Sequence, residues 1–405
     1  MPIRMVDDRT QSVHCRWDAP GVTSLQSKTP EPLLEVAVYY KRPIANYVRR
    51  RLAGGRTLEA TAARTEIVQP VESEWSACPA VYLPGQLERA AAGVEGHGSL
   101  AGELAACLPG LVTHAAIVRY TLRDAIVHAD GYDVPGHAFR ATSGKLPLIR
   151  TKGAAHYDRV LYCMSAVSRR YFGHWLQDAC ATALLSRGED ALALDERPDW
   201  PHAGEYLAAF GLQPAGAPSL RVGELTVYQD HGQGSSKRER YRRMRTMLRD
   251  ALPASGPGPS AVYLRRGATG TARVIENDQA ISEALARRGF EVVDLDGTSA
   301  ASLHGRLRDA AIVVSMDGSH LNHIYTASNP DTAILSFIPA DRFTATNVGY
   351  ARAAGMRFGL LVAPRVSGGY RIDETDLLKT LDILVAAAPP SLSEPEPVSR
   401  AALTG

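Results

Sequence analysis

The clearest alternation of apolar and polar positions lies in the C-terminal half of the chain. An apolar run at 261–264 follows the breaker stretch PASGPGPS (253–260) and predicts a strand that opens a domain. Residues 277–289 begin with an acid, end with arginines and a glycine, and set Ile281 and Leu285 on one face, the pattern of a capped amphipathic helix. Further strands are predicted at 291–295, 311–315, 333–338 and 358–362, and helices at 299–309, 319–327 and 342–354. Strands alternating with helices of this length imply a parallel sheet covered on both faces, a Rossmann-like doubly wound domain. A last helix from Asp373 carries Leu377, Leu378, Leu381, Leu384 and Val385, and a Pro- and Ser-rich tail from Pro389 is expected to be disordered.

The N-terminal half is less regular. Its first 30 residues show little periodicity and are expected to be partly unordered. Strands are predicted at 36–40, 115–120, 125–128, 158–164 and 225–228, with a turn at Ala129-Asp130-Gly131. Helices are predicted at 171–187, closed by Gly188, and at 202–210. No internal repeat is present.

Composition narrows the function classes. A chain of 405 residues suggests about two domains. Its 45 basic and 43 acidic residues leave a net charge of +2, which predicts no nucleic-acid partner. The basic run 237–245 has only Tyr241 as a stacking aromatic and reads as a solvated helix face. The five cysteines are scattered without CxxC spacing, against both a disulfide framework and a zinc site. There is no signal-peptide-like start and no bilayer-spanning run. The expected location is the cytoplasm, with at most peripheral contact at the inner face of the membrane.

Three segments can carry chemistry. The turn Ser315-Met316-Asp317-Gly318-Ser319-His320 joins a predicted strand to a helix, where unpaired N–H groups favour a phosphate. Arg265 and Arg266 leave another strand and enter the loop GATGTAR (267–273), ending in Arg273; such arginines can grip a diphosphate bidentately. His174 and Asp178 share a face of the 171–187 helix and suit proton transfer near neutral pH. Each segment alone also fits a structural role: Ser319 as an N-cap, loop arginines in solvent, a satisfied histidine at a helix turn. The first two, however, fall on one edge of one predicted sheet. Asp294 and Asp296 have Asp-x-Asp spacing but end a strand and read as turn formers. P-loop, G-x-G-x-x-G, G-x-S-x-G and HExxH motifs are absent.

The order of these segments resembles glycosyltransferase family 61, which includes plant xylan-decorating transferases, animal O-linked N-acetylglucosaminyltransferases and bacterial polysaccharide-biosynthesis proteins. The resemblance runs over about residues 155–340. It rests on Tyr171-Phe172-Gly173-His174-Trp175 with Asp178, Tyr263-Leu264-Arg265-Arg266, Arg273-Val274-Ile275-Glu276-Asn277-Asp278, Gly289-Phe290, and Ile312 to Leu321. Asp317 stands where the family usually has histidine before the glycine, and His320 replaces its second glycine. The family's Glu-Gln ahead of the helix leading to that strand is missing, with Leu303-His304 near its place.

The resemblance implies an α/β protein of the GT-B type, two Rossmann-like domains with a cleft between them, the C-terminal one a doubly wound parallel sheet. Its divisions are an acceptor-side domain (1–235), a nucleotide-sugar domain (236–366), a helix returning to the N-terminal domain (367–388) and the tail (389–405). It further implies an inverting, metal-independent hexosyl- or pentosyltransferase that uses a nucleotide-diphosphate sugar, with UDP preferred. The acceptor would be a glycan or glycolipid in surface polysaccharide synthesis. No cofactor is expected beyond the donor, and a homodimer is compatible. Asp178 or His174 is the candidate base, Asp178 slightly favoured. Arg265, Arg266, Arg273, Asp317, Gly318, Ser319 and His320 are assigned to the donor, with Trp175 and Asn277 supporting. The rival readings are a non-catalytic nucleotide-sugar binder of the same fold and a Rossmann oxidoreductase.

Overall fold

A computed structural model of the protein describes residues 4–6, 38–94, 98–141, 147–253, 256–267, 272–387 and 396–397. Apart from 4–6 and 396–397, the first 30 residues and the tail from Pro389 lie outside the described residues, as does the middle of the GATGTAR loop.

The C-terminal sheet has five parallel strands in the spatial order Glu291–Asp294, Ala261–Arg265, Ile312–Met316, Ala333–Pro339 and Arg357–Ala363. Numbered along the sequence, that order is 2-1-3-4-5. The central strands are nearly continuous apolar runs because both of their faces are buried. One face packs Tyr263, Val314, Leu335 and Leu361 against Ile281, Leu285, Leu377, Leu381 and Leu384 of helices Asp278–Arg287 and Glu374–Ala386. The other face joins a core continuous with that of the N-terminal half, through Leu303, Leu307, Ile324 and Val348. Ser299 caps helix Ala300–Leu307 and Asp373 caps Glu374–Ala386, each side chain accepting from a backbone N–H three residues on. The helix predicted at 342–354 begins later, at Thr346, after a 3-10 turn at Ala340–Arg342.

The N-terminal sheet is mixed. Its strands run Ala191–Ala193, Ala155–Tyr162, Ser219–Gln229, Ile117–His128, Gly131–Val134 and His137–Arg140, with Arg64–Gln69 also on Ile117–His128. Only the first three are mutually parallel, so the doubly wound pattern is confined to the C-terminal sheet. The strands predicted at 115–120 and 125–128 are one strand. Arg123 and Asp124 break its apolar pattern, and Asp124 has φ 56°, but Arg123 pairs with Glu224 and pairing to Ser219–Gln229 continues beyond Asp124.

One expectation is corrected. The basic run is not a solvated face: on helix Ser235–Ala251, Lys237, Arg238, Arg240, Tyr241 and Arg245 are buried. Carboxylates draw the cations in, the distant Glu74 to Arg238 and the nearer Asp230 to Arg240. The helix packs against Ala203–Ala209, Asn322–Ala327 and Thr346–Ala354, and so struts both halves. Helix Glu374–Ala386 packs on Ala333–Pro339 and Arg357–Ala363, and its Asp376 accepts from Gln86 and Arg89 of the N-terminal half. Val81 pairs with Phe358 and Leu360 at the sheet edge, and buried Gln86 accepts from Val362 N at 2.8 Å and donates to Asp376 at 3.1 Å.

Candidate functional site

The order 2-1-3-4-5 reverses between strands Ala261–Arg265 and Ile312–Met316, and open α/β sheets bind ligands beyond the carboxyl ends at such a point. Arg266 leaves the first strand there and Asp317 the second. Arg266 Nη1 donates to the Asp317 carbonyl at 3.3 Å and lies 3.4 Å from His320 Nδ1. Arg273 Nη1 donates to the same carbonyl and, at 2.7 Å, to Asp317 Oδ2. Asn347 Nδ2 holds the other carboxylate oxygen at 2.6 Å.

Ser315 fixes the histidine. Its hydroxyl donates to Leu264 O at 2.6 Å, so at 2.8 Å from His320 Nε2 it must accept. Nε2 therefore carries the proton and Nδ1 presents its lone pair toward Arg266. Burial, reinforced by Arg266 and Arg273, holds His320 well below the usual histidine range. Burial and the neighbouring Arg273 and Arg342 push Arg266 down to about 10, against the opposing pull of Asp317. Nε of Arg273 and Nε of Arg342 are buried without a hydrogen-bond partner among the described residues. Guanidiniums crowded against one another with donors unused are suited to an anion.

Gly318 is extended, and its need is spatial: a Cβ there would lie 1.9 Å from Arg266 Nη1 and 2.9 Å from His320 Nδ1. Ser319 opens the 3-10 turn Ser319–Leu321, and its carbonyl accepts from Asn322 Nδ2 at 2.9 Å. Arg265 is not brought to this cluster. Successive strand residues point to opposite faces, and its side chain binds Asp294 at 2.6 Å and approaches Asp278 at 3.5 Å. Asn277 braces the approach to Arg273 by exchanging two hydrogen bonds with the Ile372 backbone, at 2.8 and 3.1 Å. Asp296 lies against Gly267, where a Cβ would meet its Oδ1 at 1.9 Å.

The second cluster sits on the helix that follows strand Ala155–Tyr162. It starts α-helical at Phe172–His174, widens to a π-helix over Trp175–Cys180 and closes as α at Ala181–Ala183. Such π segments recur at functional sites. Trp175 is fully buried and donates to Asp195 O at 2.8 Å, which locks the helix in rotation. His174 Nδ1 lies 2.7 Å from Asp178 Oδ2, and both side chains are about a quarter exposed. Tyr350 OH lies 3.2 Å from His174 Nδ1 and donates to Asp178 Oδ2 at 3.4 Å. Buried Lys237 reaches Asp178 Oδ1 at 3.4 Å and Asp230 Oδ2 at 3.0 Å, while Arg240 holds Asp230 with two bonds. Burial raises the Asp178 carboxyl, but Lys237 and His174 outweigh it and leave it below the usual carboxylate range. With Nδ1–H given to the carboxylate, Nε2 of His174 is left as the proton acceptor.

The two clusters share elements. A Cβ on Gly173 would lie 2.3 Å from Asn322 Nδ2 and 3.4 Å from Ser319 Cα, so the His174 helix abuts the turn that follows Asp317. Gln177 Nε2 donates to Asn322 O at 3.3 Å. Helix Thr346–Ala354 serves both ends: Asn347 holds Asp317 and Tyr350, one turn on, meets His174 and Asp178.

Sequence reasoning missed Arg342, Asn347, Tyr350 and Lys237. Asn347 and Tyr350 stood on a predicted helix at same-face spacing, which was the available signal; Lys237 was hidden inside the basic run. Among the described residues, no three His, Cys, Asp or Glu side chains gather into a possible metal set, and no helix is long and apolar enough to cross a membrane.

A family model described as Glycosyltransferase 61 matches residues 172–335, a span that contains both His174 and Asp178 and the Arg266, Arg273 and Asp317–His320 cluster. No curated protein matches the chain.

Proposed function

Because the chain belongs to glycosyltransferase family 61, we propose that it moves a hexosyl or pentosyl unit from a nucleoside-diphosphate donor, UDP preferred, to a hydroxyl of a glycan or lipid-linked saccharide. The layout would be GT-B-like, with the C-terminal sheet on the donor side and the N-terminal half on the acceptor side. The reaction would invert the anomeric centre without a metal and serve surface polysaccharide synthesis in the cytoplasm. The observation that carries this reading is the meeting of three arginines at the sheet's switch point with a His–Asp pair docked on the same turn.

His174 is the base in this proposal, and Asp178 orients it. The acceptor hydroxyl gives its proton to Nε2 as its oxygen bonds to the anomeric carbon, and the bond from that carbon to the diphosphate oxygen breaks. Asp178 stabilises the imidazolium that forms. Charge growing on the leaving diphosphate is met by Arg266, Arg273 and Arg342, preplaced and partly buried, where such contacts count most in the transition state.

The test is calorimetric titration of the full chain with UDP, GDP, CMP and TDP in EDTA. A charge-assisted hydrogen bond contributes about 1.5–3 kcal/mol, so Arg266→Ala should weaken the preferred nucleotide about 10- to 100-fold, while Arg265→Ala stays within about twofold. No binding of any of them by folded protein would defeat the proposal. Binding of NAD(P) instead would favour the oxidoreductase. Donor binding without turnover, and indifferent to His174→Ala, would favour the non-catalytic binder.

A further inference from the structure

Helix Lys41–Ala53 packs on strands Gly131–Val134 and His137–Arg140 and is built back to front. Its buried residues are Pro43 and Asn46, and Asn46 seats the helix by donating to Asp133 Oδ1 at 2.9 Å, Val134 O at 3.0 Å and His137 O at 3.1 Å. Lys41, Ala45, Val48 and Leu52, which share one face, all point to solvent. Leu52 is 82% exposed and Val48 45%. The helix sequence KRPIANYVRRRLA holds five basic residues and no acid. Beside its last turn is a recess of about 300 Å³, lined by Asn46, Arg49, Arg50, Arg56, Gly136 and His137 among others.

Among the described residues, most of this helix's charge has no carboxylate partner. Most arginines of this protein pair with carboxylates; Arg42, at the start of the helix, pairs with Asp124. Among the described residues no carboxylate pairs with Arg49, Arg50, Arg51 or Arg56, and Glu59, the next acid along the chain, is bound to Tyr120. Arg51 instead lies over the ring of Tyr47.

We propose that helix Lys41–Ala53 and the recess beside it form a docking surface for an anionic lipid bilayer. An exposed apolar stripe flanked by arginines is the arrangement that lies in the plane of a membrane interface, apolar side chains entering the acyl boundary and cations meeting headgroups. Val48 and Leu52 supply the first component. Arg49, Arg50 and Arg56 supply the second, and the recess has room for a headgroup phosphate. A nucleic acid or soluble polyanion would use the charge but would leave Leu52 in water. This surface is independent of the proposed sugar transfer and survives its failure.

The test is co-sedimentation of the full chain with vesicles of phosphatidylcholine alone or with about a third phosphatidylglycerol. The protein should sediment with the anionic vesicles and little with the neutral ones. Near such a surface each arginine is worth about fivefold, equivalent to about 1 kcal/mol, so R49A/R50A/R56A should weaken partition by on the order of a hundredfold. Leu52→Asp, on a side chain open to solvent, should fold normally and weaken it at least about tenfold by opposing insertion. Failure of folded wild-type protein to bind anionic vesicles, or equal binding to both kinds, would overturn the proposal. So would displacement by inorganic phosphate with no effect of Leu52→Asp, which would mark a site for a soluble anion.

Discussion

Replacing Lys237 by methionine removes one ammonium from the interior while keeping most of the side chain's length. Lys237 is fully buried, with Nζ 3.4 Å from Asp178 and 3.0 Å from Asp230. At those separations and an effective dielectric near 20, each pair has about 5 kcal/mol of Coulomb attraction, much of it offset by the desolvation of the ions. Asp230 keeps its two bonds from Arg240, so the loss falls mainly on Asp178, which keeps only His174 and Tyr350. The expected destabilisation is about 3 kcal/mol, the low end for a buried pair that loses one partner. Urea unfolding at pH 7 measures it. The second readout is the pH profile. Burial raises the Asp178 carboxyl, Lys237 is the strongest influence lowering it, and the net is below the usual 3.8. A carboxyl depressed in this way contributes stability above its unfolded value and loses it as pH falls through the folded one. Without Lys237 the carboxyl rises, Asp178 takes a proton at higher pH, and His174 loses its orienting charge there. The acid limb of kcat/KM should therefore move up by about one pH unit, equivalent to about 1.4 kcal/mol of the removed attraction. A folded Lys237→Met protein with an unmoved acid limb and an unchanged unfolding midpoint would refute the reasoning.

Gly173→Ala should destabilise the fold by about 1–3 kcal/mol in urea, because its Cβ would overlap Asn322 Nδ2 at the contact between the two clusters. Tyr350→Phe should lower kcat up to about tenfold with unchanged donor affinity by titration, since its hydroxyl meets only the His174–Asp178 end. Stability should fall as the solution is acidified below about pH 6. Burial, aided by nearby cations or histidines, holds His320 and His323 well below 6.5, so the unfolded chain binds the extra protons there. The slope should be about 3 kcal/mol per pH unit for the pair, measured by denaturation at pH 6 and pH 5. A His323→Phe variant with the full slope would contradict this.

The C-terminal sheet was legible because its central strands, buried on both faces, are unbroken apolar runs between glycine-rich turns. The N-terminal half was obscure where amphipathicity is inverted. Helix Lys41–Ala53 buries Pro43 and Asn46 and exposes Val48 and Leu52, so its apolar period points the wrong way. Strand Glu72–Ser76 buries two glutamates and a serine and leaves Trp75 63% exposed. Those glutamates are at home because donors reach them: Glu72 accepts from the Ser235 N–H and hydroxyl, while Glu74 accepts from Arg238, pairs with Arg352, lies 3.1 Å from His114 Nε2, and is held at about pKa 2 against the opposing effect of burial. The basic run on Ser235–Ala251 is the other half of the same arrangement. A sequence pattern carries no information on partners more than a hundred residues away, so burial of matched charges cannot be seen in it. The site was legible where position alone decides, at the carboxyl ends of two strands. Arg265 and Arg266 were assigned together although strand alternation separates them, and the structure sends one to Asp294 and the other to Asp317.

Asp317 is one of the points at which this chain departs from the family pattern, and its bonds say what that departure does. Its carboxylate accepts from Arg273 on one oxygen and Asn347 on the other, while its carbonyl accepts from Arg266 and Arg273. A carboxylate so occupied is poorly placed to accept a substrate proton; it acts as a counter-ion. Three arginines less one carboxylate leave a local charge of +2 (3 − 1). That matches the two negative charges on the diphosphate of the proposed donor. The same carboxylate moderates the repulsion that crowds Arg266 and Arg273, a cost that would otherwise be met by the empty protein. A neutral His320 follows from this arrangement, because a proton on Nδ1 would set a second cation 3.4 Å from Arg266. Asp317 thus keeps the arginine cluster tolerable before the donor arrives, and Arg266 and Arg342 become the members with most to gain from an incoming phosphate.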